Sequence, residues 1–148
     1  MIMHTTSEVI DFARRLENGS AKFYEDLSAQ YATGVDILLS FVKENKKNVV
    51  QIERAYYGVI SDAIEGCFAF NVESDDYALT TAVTQGMLHS DALNQAVDME
   101  KTIVKFYLDA AEQAGPLMAD VPRAFKMVAG KRDDRERKLR LLLTGKST

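Results

Sequence analysis

Cysteine occurs once in the 148-residue sequence, at Cys67, so neither a disulfide framework nor a multi-thiolate metal site can be built within one chain. With no histidine or cationic cluster beside it in sequence, Cys67 reads as a small buried apolar residue rather than a reactive thiol, and a reducing cytoplasm is the expected compartment. Proline occurs twice and glycine eight times, which leaves few breaks and favours long helices. The longest apolar runs, such as Ile37-Leu38-Leu39 and Leu141-Leu142-Leu143, fall far short of the roughly 20 residues of a membrane span. The first residues lack the basic start and apolar run of a secretory signal, so a soluble chain without membrane association is expected. The net charge of −4 is spread along the chain, and the one basic cluster, Lys131 to Arg140, is interleaved with Asp133, Asp134 and Glu136. No unopposed basic face is visible in that pattern, and nucleic-acid binding is disfavoured.

What is present is 47% hydrophobic residues, enough for one domain with a substantial core over residues 1–148. Two stretches match. Leu16-Glu17 leads to Phe23-Tyr24, and Met99-Glu100 leads to Phe106-Tyr107, with 83 positions between the two glutamates. Seven residues make two helical turns, so Tyr24 lies over Glu17 and Tyr107 over Glu100 on one helix face. Around Glu100 that face reads Leu93, Ala96, Glu100, Ile103 and Tyr107. A carboxylate inside an apolar stripe must meet something positive or stay protonated. Its occurrence twice suggests a duplicated helical unit.

The periodicity predicts four helices. The first runs from about Ser7, with Thr5, Thr6 and Ser7 offering capping hydroxyls, to about Tyr31, and carries Val9, Ala13, Leu16, Ser20, Phe23 and Leu27. Ala32-Thr33-Gly34 ends it. The second, about Val35 to Asp62, follows so closely that the two must be antiparallel neighbours. Residues 63–88 are interrupted by Gly66, Asn71 to Asp76 and Gly86. They read as a long crossover with a short helix near Tyr77 to Thr84, packed through Phe68, Phe70, Tyr77 and Leu79. A third helix is predicted from Ser90, as N-cap, to Ala114 before Gly115-Pro116. A fourth runs from Val121-Pro122 to about Leu143, ahead of a disordered tail. The expected fold is all-α, an antiparallel four-helix bundle of two hairpins.

The fourth helix carries the most informative irregularity. Its seam reads Val121, Phe125, Val128, Arg132, Arg135, Leu139, Leu142, with two arginines at inward positions. On the second helix Glu44 and Lys47 have the same three-residue separation, and both pairs follow their inward glutamate at similar distances. Three acids, Glu17, Glu44 and Glu100, are thus expected to meet three bases, Lys47, Arg132 and Arg135, at mid-bundle.

These residues resemble the rubrerythrin-like branch of the ferritin superfamily: Glu17 with Phe23-Tyr24, Glu44, Ala92-Leu93 through Ala96 to Glu100 with Phe106-Tyr107, and Phe125 with Val128-Ala129. The resemblance implies a ferritin-like bundle, a carboxylate-bridged di-iron centre that reacts with peroxide or dioxygen, and a homodimer or larger homo-oligomer. The chain departs from that pattern at the ligands. The two expected Glu-x-x-His motifs are replaced by Glu44-Asn45-Lys46-Lys47 and Arg132-Asp133-Asp134-Arg135, and the two histidines, His4 and His89, lie outside them. Fixed cations repel a divalent metal and offer it no lone pair.

The leading expectation is therefore a metal-free, non-catalytic bundle without cofactor, with a Glu/Lys/Arg network across Glu17, Glu44, Lys47, Glu100, Arg132 and Arg135 and self-association as its interaction. An alternative is an iron- or manganese-dependent oxidoreductase or peroxidase of oxidative-stress defence, with Asp133, Asp134 or Glu136, after a rotation of the fourth helix, joining Glu17, Glu44 and Glu100 in an all-oxygen ligand set. A further alternative uses Glu17 and Glu100 as acid–base groups beside arginines that bind an anionic substrate.

Overall fold

The structure, a computed structural model, describes residues 1–59, 69–115 and 120–145. Four long helices dominate: α1 (Thr6–Gln30), α2 (Val35–Val59), α3 (His89–Ala114) and α4 (Asp120–Thr144). They contain 25, 25, 26 and 25 residues, so all present about the same length to a shared core. Among the described residues, no helix is long and apolar enough to cross a membrane.

The ends of α1 and α2 follow from local chemistry. Thr5 caps α1 through a reciprocal box: its Oγ1 accepts from the Glu8 backbone N–H (3.1 Å), and Glu8 Oε1 accepts from the Thr5 N–H (3.2 Å). The Thr5 and His4 backbone amides hold the Glu8 carboxyl below its ordinary range. Between α1 and α2, Gly34 has φ +77°, and a Cβ there would lie 3.0 Å from the Leu142 side chain of α4. Only glycine satisfies both the left-handed backbone and that close approach.

Two expectations about helix ends are corrected. Helix α3 starts at His89 rather than after a Ser90 cap, because the Leu88 carbonyl already accepts the first helical bond, from the Ala92 N–H at 3.1 Å. The helix near Tyr77 to Thr84 does not form. A single 3₁₀ turn occupies Ser74–Tyr77, and the Gln95 side chain donates to the Thr80 and Ala82 carbonyls (2.8 and 3.0 Å), which leaves them no need of helical partners. Phe70 and Tyr77 are nevertheless buried, and Leu79 packs against the core. The expected last turn of α2 (60–62), Phe68, Pro116 and residues 146–148 of the tail lie outside the described residues, as does Cys67.

A two-residue antiparallel ladder joins β1 (Ile2–Met3) to β2 (Val72–Glu73) and buries Met3 and Val72 beside the N-terminus of α1. From there the segment is fastened along α3, by Gln113 to both backbone groups of Asn71, by Tyr77 to Asp109 (2.5 Å) and by Gln95 to Thr80 and Ala82. It ends near the α1 C-terminus, where Gln30 donates to the Thr84 carbonyl and Tyr31 to that of Met87.

Neighbouring helices run antiparallel. Contacts of α1 with α2 descend from Arg14–Glu53 through Glu17–Asn48 to Tyr24–Phe41, and those of α1 with α3 from Phe12–Phe106 to Tyr31–His89. The same order relates α3 to α4, from Phe106–Phe125 to Glu100–Arg132, and α2 to α4, from Gln51–Met127 to Glu44–Arg135. The core of aromatic and aliphatic side chains is continuous except at its middle.

Candidate functional site: a buried ion-pair network

At mid-length the apolar seams give way to charge. Glu17, Glu100 and Arg132 have no exposed surface, and Arg135 keeps only 1%. Each helix places its part by the same three- and four-residue spacing that lines the apolar core, so these groups are inward because the residues one turn either side are.

Arg132 occupies the centre. Its Nη1 donates to both oxygens of Glu100 (2.6 and 2.9 Å), and its Nε (3.1 Å) and Nη2 donate to Glu17 Oε2. The Nη2 also donates to Ser20 Oγ at 2.8 Å. Burial alone would lower the affinity of this guanidinium for its proton. The charges of Glu100 and Glu17 outweigh that effect and hold its pKa above the ordinary value.

The two tyrosines cross over. Tyr24 of α1 donates to Glu100 Oε1 of α3 (3.1 Å), and Tyr107 of α3 donates to Glu17 Oε2 of α1 (2.9 Å). Each therefore serves the glutamate of the other helix rather than the one it follows. Burial, and then the carboxylate each one faces, pushes both phenols well above their ordinary range. Arg135 extends the network to α2. Its Nε donates to Glu44 (2.8 Å), its Nη2 to the Phe41 carbonyl (3.1 Å), and its Nη1 stands 3.5 Å from Glu100 Oε1. Its guanidinium lies over the rings of Phe41 (5.0 Å) and Tyr24 (5.9 Å).

Five of the six expected residues meet; Lys47 does not. It is exposed, and the inward positions of α2 are Asn45 and Asn48. The seam counted from Leu38 and Phe41 by threes and fours arrives at Asn45, Asn48 and Ile52, one position off the Glu44–Lys47 pair. Asn48 Nδ2 fills the place assigned to Lys47 and donates to Glu17 Oε1 (2.9 Å). Glu44 sits at the edge with its side chain 33% exposed. The network thus has two buried acids, two buried bases and one half-exposed acid in place of three against three. Ser20 is on the expected seam of α1 but without a predicted role in the network, and Asn48 is not among the expected residues; the count from Leu38 and Phe41 marks it as inward.

A di-iron centre does not fit these residues. Every oxygen of Glu17 and Glu100 accepts a hydrogen bond, and a guanidinium occupies the space between the two carboxylates. The acids of the all-oxygen alternative do not face Glu17 and Glu100 in this arrangement. Asp133 and Asp134 are exposed partners of Arg137, and Glu136 pairs with Arg140 and Lys101. Among the described residues, no group of three or more His, Cys, Asp or Glu side chains is placed to hold a metal ion. His89 begins α3 with its ring 4.9 Å from that of Tyr31, and His4 contacts the Phe70 carbonyl; neither belongs to the network. An acid–base role for Glu17 and Glu100 meets a further obstacle, because no substrate reaches them without parting the helices.

The arrangement joins all four helices through one set of charge-assisted bonds and thereby fixes their register. No family model, curated protein or solved structure matches this chain, so its relationships rest on these residues alone.

Proposed function

We propose that the chain is a ferritin-like protein of rubrerythrin type whose di-iron positions have been converted into a buried salt-bridge network, and that it acts as a non-catalytic binding or structural protein, self-associating as a homodimer in the cytoplasm. One observation carries the reading: the Arg132 guanidinium lies between Glu17 and Glu100, at the positions where two metal-bridging carboxylates would face a metal pair. Two features support the ferritin-like assignment. The antiparallel contacts leave α2 and α3 running the same way, the arrangement that goes with a long crossover between two hairpins, and the Glu–Phe-Tyr stretches recur on α1 and α3. The network's role is specificity rather than net stabilisation, because desolvating four charged groups offsets much of their attraction while a mispaired register strands one of them.

Metal analysis of protein purified after iron and manganese supplementation, with a near-ultraviolet spectrum, tests the proposal. The expected result is a metal content far below one ion per chain and no peroxide consumption. Stoichiometric iron with peroxide turnover would overturn it in favour of an oxidoreductase.

A further inference from the structure

Elsewhere on the surface cations are answered by acids. Arg14 pairs with Glu53, Arg15 with Asp11, Lys22 with Asp26, Lys105 with Asp109 and Arg140 with Glu136. The face between α2 and α4 is different. Lys43, Lys46, Lys47, Arg54, Lys131 and Lys138 have no ion pair, and among the described residues only Lys126 of the other cations also lacks one. All six line two grooves that adjoin at Lys47, of about 610 Å³ and about 410 Å³. The acids in the grooves are already committed: Asp120 to Arg123, Glu44 to Arg135 and Asp134 to Arg137. The uncompensated charge of this face is therefore entirely positive in a chain whose net charge is −4.

The sequence conceals the strip. The lysines come from two helices, and in the Lys131–Arg140 run the interleaved acids are paired with Arg137 and Arg140 rather than with the lysines of the strip. The larger groove has an apolar floor of Val50, Ala55, Ala124 and Met127, with Val50 exposed at 52% and Met127 at 42%.

We infer that the α2–α4 face is a docking groove for an acidic amphipathic helix of a partner protein, with apolar residues on Val50 and Met127 and carboxylates along both edges against the unpaired cations. The geometry suits a helix. Lys43 to Arg54 spans about 16 Å, or three turns, and a helix laid in the trough between two others is an established recognition mode. A second copy docking through this same face would set like charges against each other, and a nucleic acid leaves the apolar floor without a complement. The inference does not depend on whether the core holds metal.

Fluorescence anisotropy with two labelled amphipathic helical peptides tests it, one with leucine on its inner face and glutamate on both edges, the other with lysine in place of each glutamate. The glutamate peptide is expected to bind about ten-fold more tightly or better, and to weaken as salt rises. The combined Lys46→Glu, Lys47→Glu and Arg54→Glu variant should lose at least about ten-fold, since three attractions become repulsions. Val50→Asp should also weaken binding. Lys126→Glu, the same charge change outside the grooves, should leave it within about two-fold. All three variants alter exposed positions, so their thermal unfolding should match the parent. Absence of binding by the glutamate peptide, equal binding of both peptides, or indifference to the triple reversal would overturn the inference. So would tighter binding of a short DNA duplex or of phosphatidylserine vesicles than of the glutamate peptide at the same salt.

Discussion

The two hairpins repeat one plan and then differ at one pair of positions. On α1 and α3, Glu17 with Tyr24 and Glu100 with Tyr107 are equivalent, and each tyrosine bonds the other half's glutamate. On the second helix of each hairpin the seams also align: Leu38, Phe41, Asn45, Asn48 and Ile52 of α2 match Phe125, Val128, Arg132, Arg135 and Leu139 of α4. Two buried amides in the first half thus stand where the second half has two buried guanidinium groups. Every guanidinium nitrogen of Arg132 has an acceptor, as do Nε and Nη2 of Arg135, whose Nη1 makes no hydrogen bond and stands 3.5 Å from Glu100 Oε1. Asn45, by contrast, keeps both side-chain polar atoms buried without a hydrogen bond, and Asn48 Oδ1 is in the same state. The second half therefore supplies the positive charge that both halves' glutamates need, while α2 of the first half contributes the Asn48 bond, the half-exposed Glu44 and the Phe41 carbonyl.

The largest test of that asymmetry is Arg132→Met, which leaves two buried carboxylates facing each other. A loss of about 3–5 kcal/mol is expected in denaturant unfolding, as for any buried pair stripped of one partner. The pairing itself is measured by a double-mutant cycle. Glu100→Ala combined with Arg132→Ala should cost less than the two changes summed, and strict additivity would count against the network.

Next in size are the crossed tyrosines. Tyr24→Phe and Tyr107→Phe each remove a hydrogen bond to a charged group and should each cost about 1.5–3 kcal/mol. Similar values would confirm the equivalence of α1 and α3, and a clear inequality would break it. The same residues set an alkaline limit. Their folded-state pKa values lie above the ordinary 10.0, so their contribution is fully present below about pH 10. As pH rises further, the unfolded chain releases those protons while the folded chain retains them, and stability falls. The Tyr24→Phe, Tyr107→Phe double variant should show a shallower decline above pH 10; an identical slope would remove the tyrosines as its cause.

Asn45→Leu tests the weaker half. An unpartnered buried amide is replaced by an apolar side chain of similar size, and a gain of about 1 kcal/mol is expected, against the usual sign of core substitutions. Destabilisation would show that Asn45 has a partner, such as a buried water, and that the amide half is not idle.

Much of this was readable in the sequence because periodicity is a strong signal when it is unbroken. The four helices, the inward Glu17 and Glu100, and the inward Arg132 and Arg135 all follow from three- and four-residue spacing. Lys47 is out of place for an instructive reason: the similar spacing of the two halves after their glutamates sets Glu44 and Lys47 against Arg132 and Arg135, whereas the apolar count from Leu38 and Phe41 points one position further, to Asn45 and Asn48. The crossed tyrosine bonds were out of reach, since they depend on the offset between α1 and α3 rather than on either helix alone. Nor could any pattern along one helix reveal the unpaired cations of the α2–α4 face, which come from both.

Glu44 gives the smallest effect and the sharpest distinction between the centre of the network and its edge. It was expected to be an equal member of the charged set, but its side chain is 33% exposed while Glu17 and Glu100 are sealed. Its pair with Arg135 is therefore partly screened by water, and Arg135 keeps the Phe41 carbonyl, the Glu100 carboxylate and two aromatic faces if Glu44 is neutralised. Glu44→Gln retains an acceptor for Arg135 Nε and removes only the charge. Its cost should stay below about 1 kcal/mol and shrink as salt is raised. A loss comparable with that of Arg132→Met would mean that Arg135 is held chiefly by Glu44, and that the α2 half anchors the network after all.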